Sequence, residues 1–437
     1  MNLAYSVYIA LSTAVFSVLY PFVRLYLKWT GRFGSEFLER MGRYQPEKPG
    51  KVAGRKPRVW IHAVSVGEIN VALPIIDALK MQMPECAVIL STATPHGKAV
   101  ADECARSVDA CVYAPVDFIL CVRRALSAFR PDILVCLETE IWPNWIIQAS
   151  RSGIRTALVN GRISSRSIQR YLKIRPLTHY VLEHIDGLSM ISQVDADRIV
   201  QMGAPSRRVR VSGNAKYDRL FSSALPDMLE RQKKLYRPSG QPVFVAGSIR
   251  GQEPEMLMNA CDRIRKRFPE LLMILAPRHV RRAKEIRAMV QARGISCQLR
   301  TELATDSRTA TVVVVDTIGE LQALYGMASV VFCGGSLVAL GGQNVLEAAI
   351  WAKPVIYGPY MEDFQDARDL LRRWRASIEV EHWRQLSEKV MNLLENPQEA
   401  QRIGQCARQA VLSVDGAAQR HATLIVQLLN EKQKIRS

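Results

Sequence analysis

The residues His62-Ala-Val-Ser-Val-Gly-Glu68 join a β-branched and aromatic run, Val59-Trp60-Ile61, to a segment from Ile69 to Met81. In that segment Ala72, Ile75, Ile76 and Leu79 recur at helical spacing. The loop therefore links a strand to a helix, and ligands in open α/β sheets bind outside the carboxyl ends of the strands, where such loops lie. Ser65 and Gly67 are small enough to let a ligand approach, and Glu68 sets a carboxylate at the helix entry. A carboxylate so placed can take a proton from a substrate hydroxyl. It serves equally as an acidic first-turn residue that favours the helix dipole.

Further loops share this character. Leu137-Glu138-Thr139-Glu140-Ile141-Trp142-Pro143 follows the apolar run Asp132–Cys136 and reads either as a strand-end carboxylate site or as a helix entry with Pro143 in its first turn. Gly213-Asn214-Ala215-Lys216-Tyr217-Asp218 carries a lysine that can stabilise negative charge or simply sit solvated in a turn. In the second half, Gly247-Ser248-Ile249-Arg250-Gly251 reads as a small-residue phosphate cradle. Pro277-Arg278-His279 presents a guanidinium suited to phosphate. Asp316-Thr317-Ile318-Gly319-Glu320 opens another helix. Two glycine pairs, Gly334-Gly335 and Gly341-Gly342, flank a loop leading to an expected helix Asn344–Trp351, whose first N–H groups make an anion site. Glu347, one turn in, can accept from ribose hydroxyls. Asp195-Ala196-Asp197 matches the metal-chelating DxD pattern, but it opens a helical pattern, where acidic residues need no metal. The chain has no GxxxxGK(S/T) loop and no GxGxxG after a strand, which argues against NTPase and dinucleotide readings.

The elements that carry these loops alternate. Strand-like runs at Arg58–Val64, Ala87–Thr92, Asp132–Leu137, Thr156–Asn160, Gly187–Ile191 and Val209–Ser212 precede a polar stretch, and runs at Val243–Gly247, Leu271–Ala276, Thr311–Val315, Val330–Cys333 and Val355–Tyr357 follow it. Such alternation predicts parallel sheets covered by helices. The expected organisation is an N-terminal segment 1–23, a basic connector 24–57, a Rossmann-like domain 58–221, a linker 222–241 and a second Rossmann-like domain 242–437, the two domains facing a cleft. A chain of 437 residues suits two domains.

The first 23 residues carry no charged side chain, and Arg24, Lys28 and Arg32 follow at once. About twenty apolar residues suffice to cross the hydrocarbon core of a bilayer. Charge after the apolar run, rather than before it, favours an anchor over a cleaved signal and puts the rest of the chain in the cytoplasm. An in-plane amphipathic helix and a hydrophobic N-terminal core helix are the alternatives. Lys and Arg number 59 against 41 Asp and Glu, a net +18, of which +7 falls in residues 24–58. Such an excess calls for anionic partners. Nucleic acid is not expected, because no aromatic-basic motif appears and the basic segment adjoins a membrane-type helix. The nine cysteines show no ligand spacing and read as reduced thiols.

Taken in order, HAVSVGE at 62–68, LETEIWPN at 137–144, VNGRISSRS at 159–167, GNAKYD at 213–218, PRH at 277–279, DTIGEL at 316–321 and GGSLVALGGQNVLE at 334–347 resemble the 3-deoxy-D-manno-octulosonic acid (Kdo) transferases of lipopolysaccharide assembly. The resemblance spans nearly the whole chain. It implies a GT-B fold, with acceptor bound by the first domain and nucleotide sugar by the second. It implies CMP-Kdo as donor, a lipid A precursor as acceptor (an acylated glucosamine disaccharide bisphosphate), and inverting transfer at the cytoplasmic side of the bacterial inner membrane, with no cofactor or metal. Glu68 falls on the catalytic base, and Glu138 and Lys216 on transition-state stabilisers. Pro277, Arg278, Ile318, Gly319, Glu320, Asn344, Val345, Leu346 and Glu347 fall on CMP-binding positions. His62, Ser65, Gly67 and Arg162 are candidates for contact with the acceptor and its phosphates, the other reading of His62 being that it only ends the strand. Gln343 and Ile249-Arg250 stand where histidines are usual in the family. The rival readings are another GT-B enzyme or sugar-nucleotide epimerase with a different donor, and a membrane-tethered protein that binds lipid A precursors without catalysis.

Overall fold

Short β-branched runs separated by helical segments fold into two parallel sheets in a computed structural model, which describes residues 2–31, 34–103, 107–221, 225–304 and 308–436. Arg32, Cys104 and the first residues of the expected linker, 222–224, lie outside the described residues. The chain divides into two compact units, Met1–Arg219 with Gly416–Ser437, and Leu220–Asp415.

The first unit holds strands β1 (Arg58–His62), β2 (Ala87–Thr92), β3 (Ala110–Tyr113), β4 (Ile133–Leu137), β5 (Arg155–Gly161), β6 (Gly187–Met190) and β7 (Val209–Val211). Their order is β3-β2-β1-β4-β5-β6-β7, all parallel. The order reverses between β1 and β4, the switch point at which doubly wound sheets bind ligands. Side chains alternate across the pleat. Trp60, Ile89, Leu134 and Leu158 enter one core with Phe129 and Trp145. Val59, Ile61, Val88, Leu90, Val135 and Val159 enter the other, under helix Val66–Gln82.

The second unit holds β8 (Val243–Ile249), β9 (Leu272–Pro277), β10 (Cys297–Leu299), β11 (Val312–Val314), β12 (Val330–Cys333), β13 (Val355–Tyr357) and β14 (Ser377–Glu379), ordered β10-β11-β9-β8-β12-β13-β14. Here the order reverses between β8 and β12, which pair in parallel.

The structure differs from the sequence expectation in three places. Strands β3, β10 and β14 were not expected; each is an edge strand of three or four residues. Edge strands pair on one side only and need no long apolar run. The expected linker holds a helix, Leu225–Tyr236, whose Tyr236 is fully buried. The closing helix Ala417–Arg436 belongs to the first unit, not to a second domain running to 437. Its Ala417, Ala418, Ala422, Ile425 and Leu429 join the core beside helix Val66–Gln82, because small residues on one face let the two helices approach closely.

Candidate active site

In the first unit the loops after β1 and β4 bring Glu68, Glu138 and Glu140 together, and the loops after β5 and β7 carry Arg162 and Lys216. Ser65 takes extended backbone as N-cap of helix Val66–Gln82, which sets Glu68 in the first turn. There Glu68 folds back, and its Oε2 accepts the Val64 N–H at 2.7 Å. Burial pushes the Glu68 carboxyl up to about 8, opposed by the Val64 and Ser65 hydrogen bonds and reinforced by Glu140 and Glu138. The loop after β4 thus supplies the carboxylates facing it. Glu138 takes left-handed backbone, φ 50°, and its N–H donates to Val159 O at 3.2 Å. The Trp142 indole N–H donates to Glu140. Burial raises the Glu140 carboxyl as well. Arg162, exposed after β5, is joined to this loop where Thr139 Oγ1 donates to its carbonyl at 3.2 Å. Gly67 is exposed at the mouth of the β1 loop, where an added Cβ would meet Ser65 Oγ at 3.7 Å.

His62 is placed otherwise than a phosphate ligand needs. It is 1 % exposed, stacked on Trp145 at 4.8 Å, with Nδ1 3.0 Å from Ser91 Oγ. Burial pushes its pKa down to about 4, so the ring is neutral and ends the strand.

The exposed Lys216 sits on a loop tied down by residues that sequence reasoning missed. Asn160, buried at φ 51°, accepts the Ala215 N–H at 2.8 Å. Asp218 accepts the N–H groups of Ala417 and Ala418, at 3.3 and 2.7 Å, and so caps the closing helix across a separation of about 200 residues. From that helix, Arg420 donates to Ser212 O at 2.8 Å, and the buried His421 bridges Ser189 Oγ at 2.8 Å and Gly213 O at 3.0 Å. The pair Asn160-Gly161 was a legible turn signal. The Asp218 and His421 contacts had none, because they join distant parts of the chain.

In the second unit the loops after β8 and β12 meet at the switch point. The Gly334–Gly342 loop does not offer an open anion cradle. Glu253, fully buried, fills it: its carboxylate accepts the N–H groups of Arg250, Gly335, Ser336 and Leu337 at 2.8, 2.6, 3.0 and 3.0 Å. Burial raises the Glu253 carboxyl, and these four donors oppose the rise. The expected cradle at 247–251 and the N–H groups of 335–337 are thus served from within the protein. The expected helix Asn344–Trp351 is shorter, Leu346–Ala349, with the Leu346 N–H taken by Asn344 Oδ1 at 3.2 Å. Val345 and Leu346 are fully buried. Asn344 and Glu347 are half-buried and hydrogen-bonded at 3.3 Å. Pro277 ends β9 inside the core, while Arg278 is exposed, its N–H on Ile249 O at 3.1 Å. Ile318 and Gly319 form an exposed tip, Gly319 at φ 92°. Glu320 is engaged by Arg300 and by Thr317 Oγ1 at 2.9 Å. Arg250 reaches across to Leu340 O at 3.0 Å. No cluster of three His, Cys, Asp or Glu with metal-binding geometry occurs among the described residues. Asp195 accepts the Ile163 N–H at 2.7 Å, which explains its acidic side chain.

A family profile described as 3-Deoxy-D-manno-octulosonic-acid transferase (kdotransferase) matches residues 35–219. The 3-deoxy-D-manno-octulosonic acid transferase of Bordetella pertussis is 30% identical over 394 residues, covering 86% of this chain and 90% of that one. The chain belongs to the Kdo transferase family. The Kdo transferase of Haemophilus influenzae is 27% identical over 396 residues, 90% of this chain and 91% of its own. A glycosyltransferase from Rickettsia africae shares the fold, with TM-score 0.57 at 12% identity over 87% of this chain and 99% of that one. This Kdo transferase is therefore a GT-B glycosyltransferase built on two doubly wound sheets. The motifs at 62–68, 137–144 and 334–347 follow β1, β4 and β12 at the two switch points, and the others follow β5, β7, β9 and β11.

Proposed function

We propose that this enzyme transfers Kdo from CMP-Kdo onto a hydroxyl of a lipid A precursor, at the cytoplasmic face of the inner membrane, by metal-independent inverting displacement. The observation that carries the mechanism is Glu68: a first-turn carboxylate whose pKa is pushed up to about 8 by burial, with Glu140 and Glu138 beside it. A base with a pKa near the operating pH accepts a proton as the acceptor oxygen attacks the anomeric carbon. The C–O bond to CMP breaks as the new glycosidic bond forms, and CMP leaves with the bonding pair. Glu138 and Lys216 act on charge in the transition state, and the exposed guanidinium of Arg278 acts on the CMP phosphate. The N-terminal helix Leu3–Trp29, long and apolar enough to cross a membrane, is the membrane attachment.

The test uses the purified full chain with CMP-Kdo and lipid A precursor, products being counted by mass. Addition of one or more Kdo units, and thermal stabilisation by CMP over UDP and ADP, supports the reading. Stabilisation by UDP with sugar epimerisation favours the epimerase alternative. Precursor binding without transfer favours a binding protein.

A further inference from the structure

The N-terminal helix is apolar over most of its surface, and the structure separates its faces. Tyr5, Tyr8, Ile9, Ser12, Phe16, Tyr20 and Leu27 form a stripe at helical spacing that is turned to the first unit and is not exposed. The contacts are specific as well as apolar. The Tyr5 hydroxyl, fully buried, donates to Asn144 Oδ1 at 2.9 Å and accepts from Gln148 Nε2 at 3.0 Å. The Tyr8 hydroxyl donates to Asp117 Oδ2 at 2.6 Å. Arg151 lies over the Tyr5 ring at 5.4 Å, and Phe16 stacks on Phe118 at 4.0 Å. Away from the protein, Leu3, Leu11, Phe22, Leu25 and Trp29 are 62–85 % exposed, forming an apolar arc. Between the two faces, Ser6, Thr13, Ser17, Arg24 and Lys28 recur at helical spacing along one flank.

We propose that this helix lies flat in one leaflet and does not cross the bilayer. Its occupied face is the first unit, and its free apolar arc takes the headgroup–acyl boundary of an anionic phospholipid surface. This rests on the membrane-attachment reading above and sharpens it. The docked contacts run from Tyr5 to Phe16 and Tyr20, about 22 Å of helix axis at 1.5 Å per residue. A perpendicular helix would draw the docked side of the unit into a hydrocarbon layer about 30 Å thick, with Asp117, Asn144, Gln148 and Arg151 among it. Buried in hydrocarbon, such groups are very costly. Undocked, the same groups lose the tyrosine hydroxyls that satisfy them. A helix in the plane meets neither cost. It sinks its outer arc roughly 5–10 Å and leaves Arg24, Lys28 and the +7 segment 24–58 at headgroup level.

Two readouts that do not involve catalysis test this, so failure of the topology and failure of Kdo transfer remain distinct. In inside-out inner-membrane vesicles holding the full chain with an N-terminal epitope tag, added protease should remove the tag without detergent. A tag protected until detergent is added overturns the proposal. The double substitution Tyr5→Phe with Tyr8→Phe should lower the melting temperature by about 4 °C, since it strips hydrogen bonds from Asn144 and Asp117. An unchanged melting temperature overturns the docking. Leu11→Glu with Phe22→Glu should release the chain from phosphatidylglycerol-containing vesicles with melting temperature retained. Undiminished binding to those vesicles overturns the assignment of the outer arc.

Discussion

Replacing Glu68 by Gln tests the proposed mechanism at its centre. With the carboxyl at about 8, roughly one molecule in ten carries the ionised base at pH 7. The rate of Kdo transfer at limiting acceptor should therefore climb about tenfold per pH unit below pH 8 and level off above it. Glu68→Gln should lower turnover by about 10²- to 10⁴-fold and abolish that limb. Glu140→Gln removes a carboxylate that repels the ionised form, so it should move the limb to lower pH. The assay is initial rates of product formation by mass across about pH 6 to 9. Retained transfer by Glu68→Gln, or a flat profile in the native enzyme, refutes the assignment. Stability carries an independent sign. The folded pKa lies above that of an unfolded glutamate, so the native state holds the extra proton between about pH 4.5 and about pH 8. Stability is lost as pH rises through that window, because the native state must then bury a charge. Glu68→Gln should flatten this slope and be the more stable protein at alkaline pH, as read by urea unfolding at several pH values.

Two further substitutions probe the supporting residues. Glu253→Ala leaves the Gly335, Ser336 and Leu337 N–H groups without their acceptor. At about 1–3 kcal/mol per buried orphan donor, the second unit should lose about 3 kcal/mol or more. Weaker CMP binding should accompany that loss, and unchanged unfolding with unchanged CMP affinity would sink the role given to Glu253. Asp218→Ala removes the cap on the closing helix and should cost about 1 kcal/mol. Turnover should fall as the Lys216 loop loses a tie; equal stability and turnover would show that this contact does not position the lysine.

Much of the candidate site was legible because its parts are local. Glu68 sits one short loop beyond a strand, and strand, loop and helix entry are all visible within a dozen residues. The same locality exposed Lys216, Arg278 and the glycine-rich loop. It left open whether His62 lines the acceptor pocket or only ends the strand, since nothing local reveals that Trp145 and Ser91 enclose the ring, and it misled at 247–251, where a phosphate cradle was expected and Glu253 already holds the Arg250 N–H.

By itself, then, the sequence determined the alternation that makes two parallel sheets, the motifs of the Kdo transferase family, and the loops on which chemistry can occur, since period and turn chemistry act over a few residues. Only the tertiary structure decided what depends on distant partners. It placed Glu138 and Glu140 where they raise the Glu68 pKa, and it carried the closing helix back to hold the Lys216 loop through Asp218 and His421. It also set Tyr5 and Tyr8 against Asn144 and Asp117, which turns an apolar segment long enough to cross a bilayer into a helix docked along the side of its own domain.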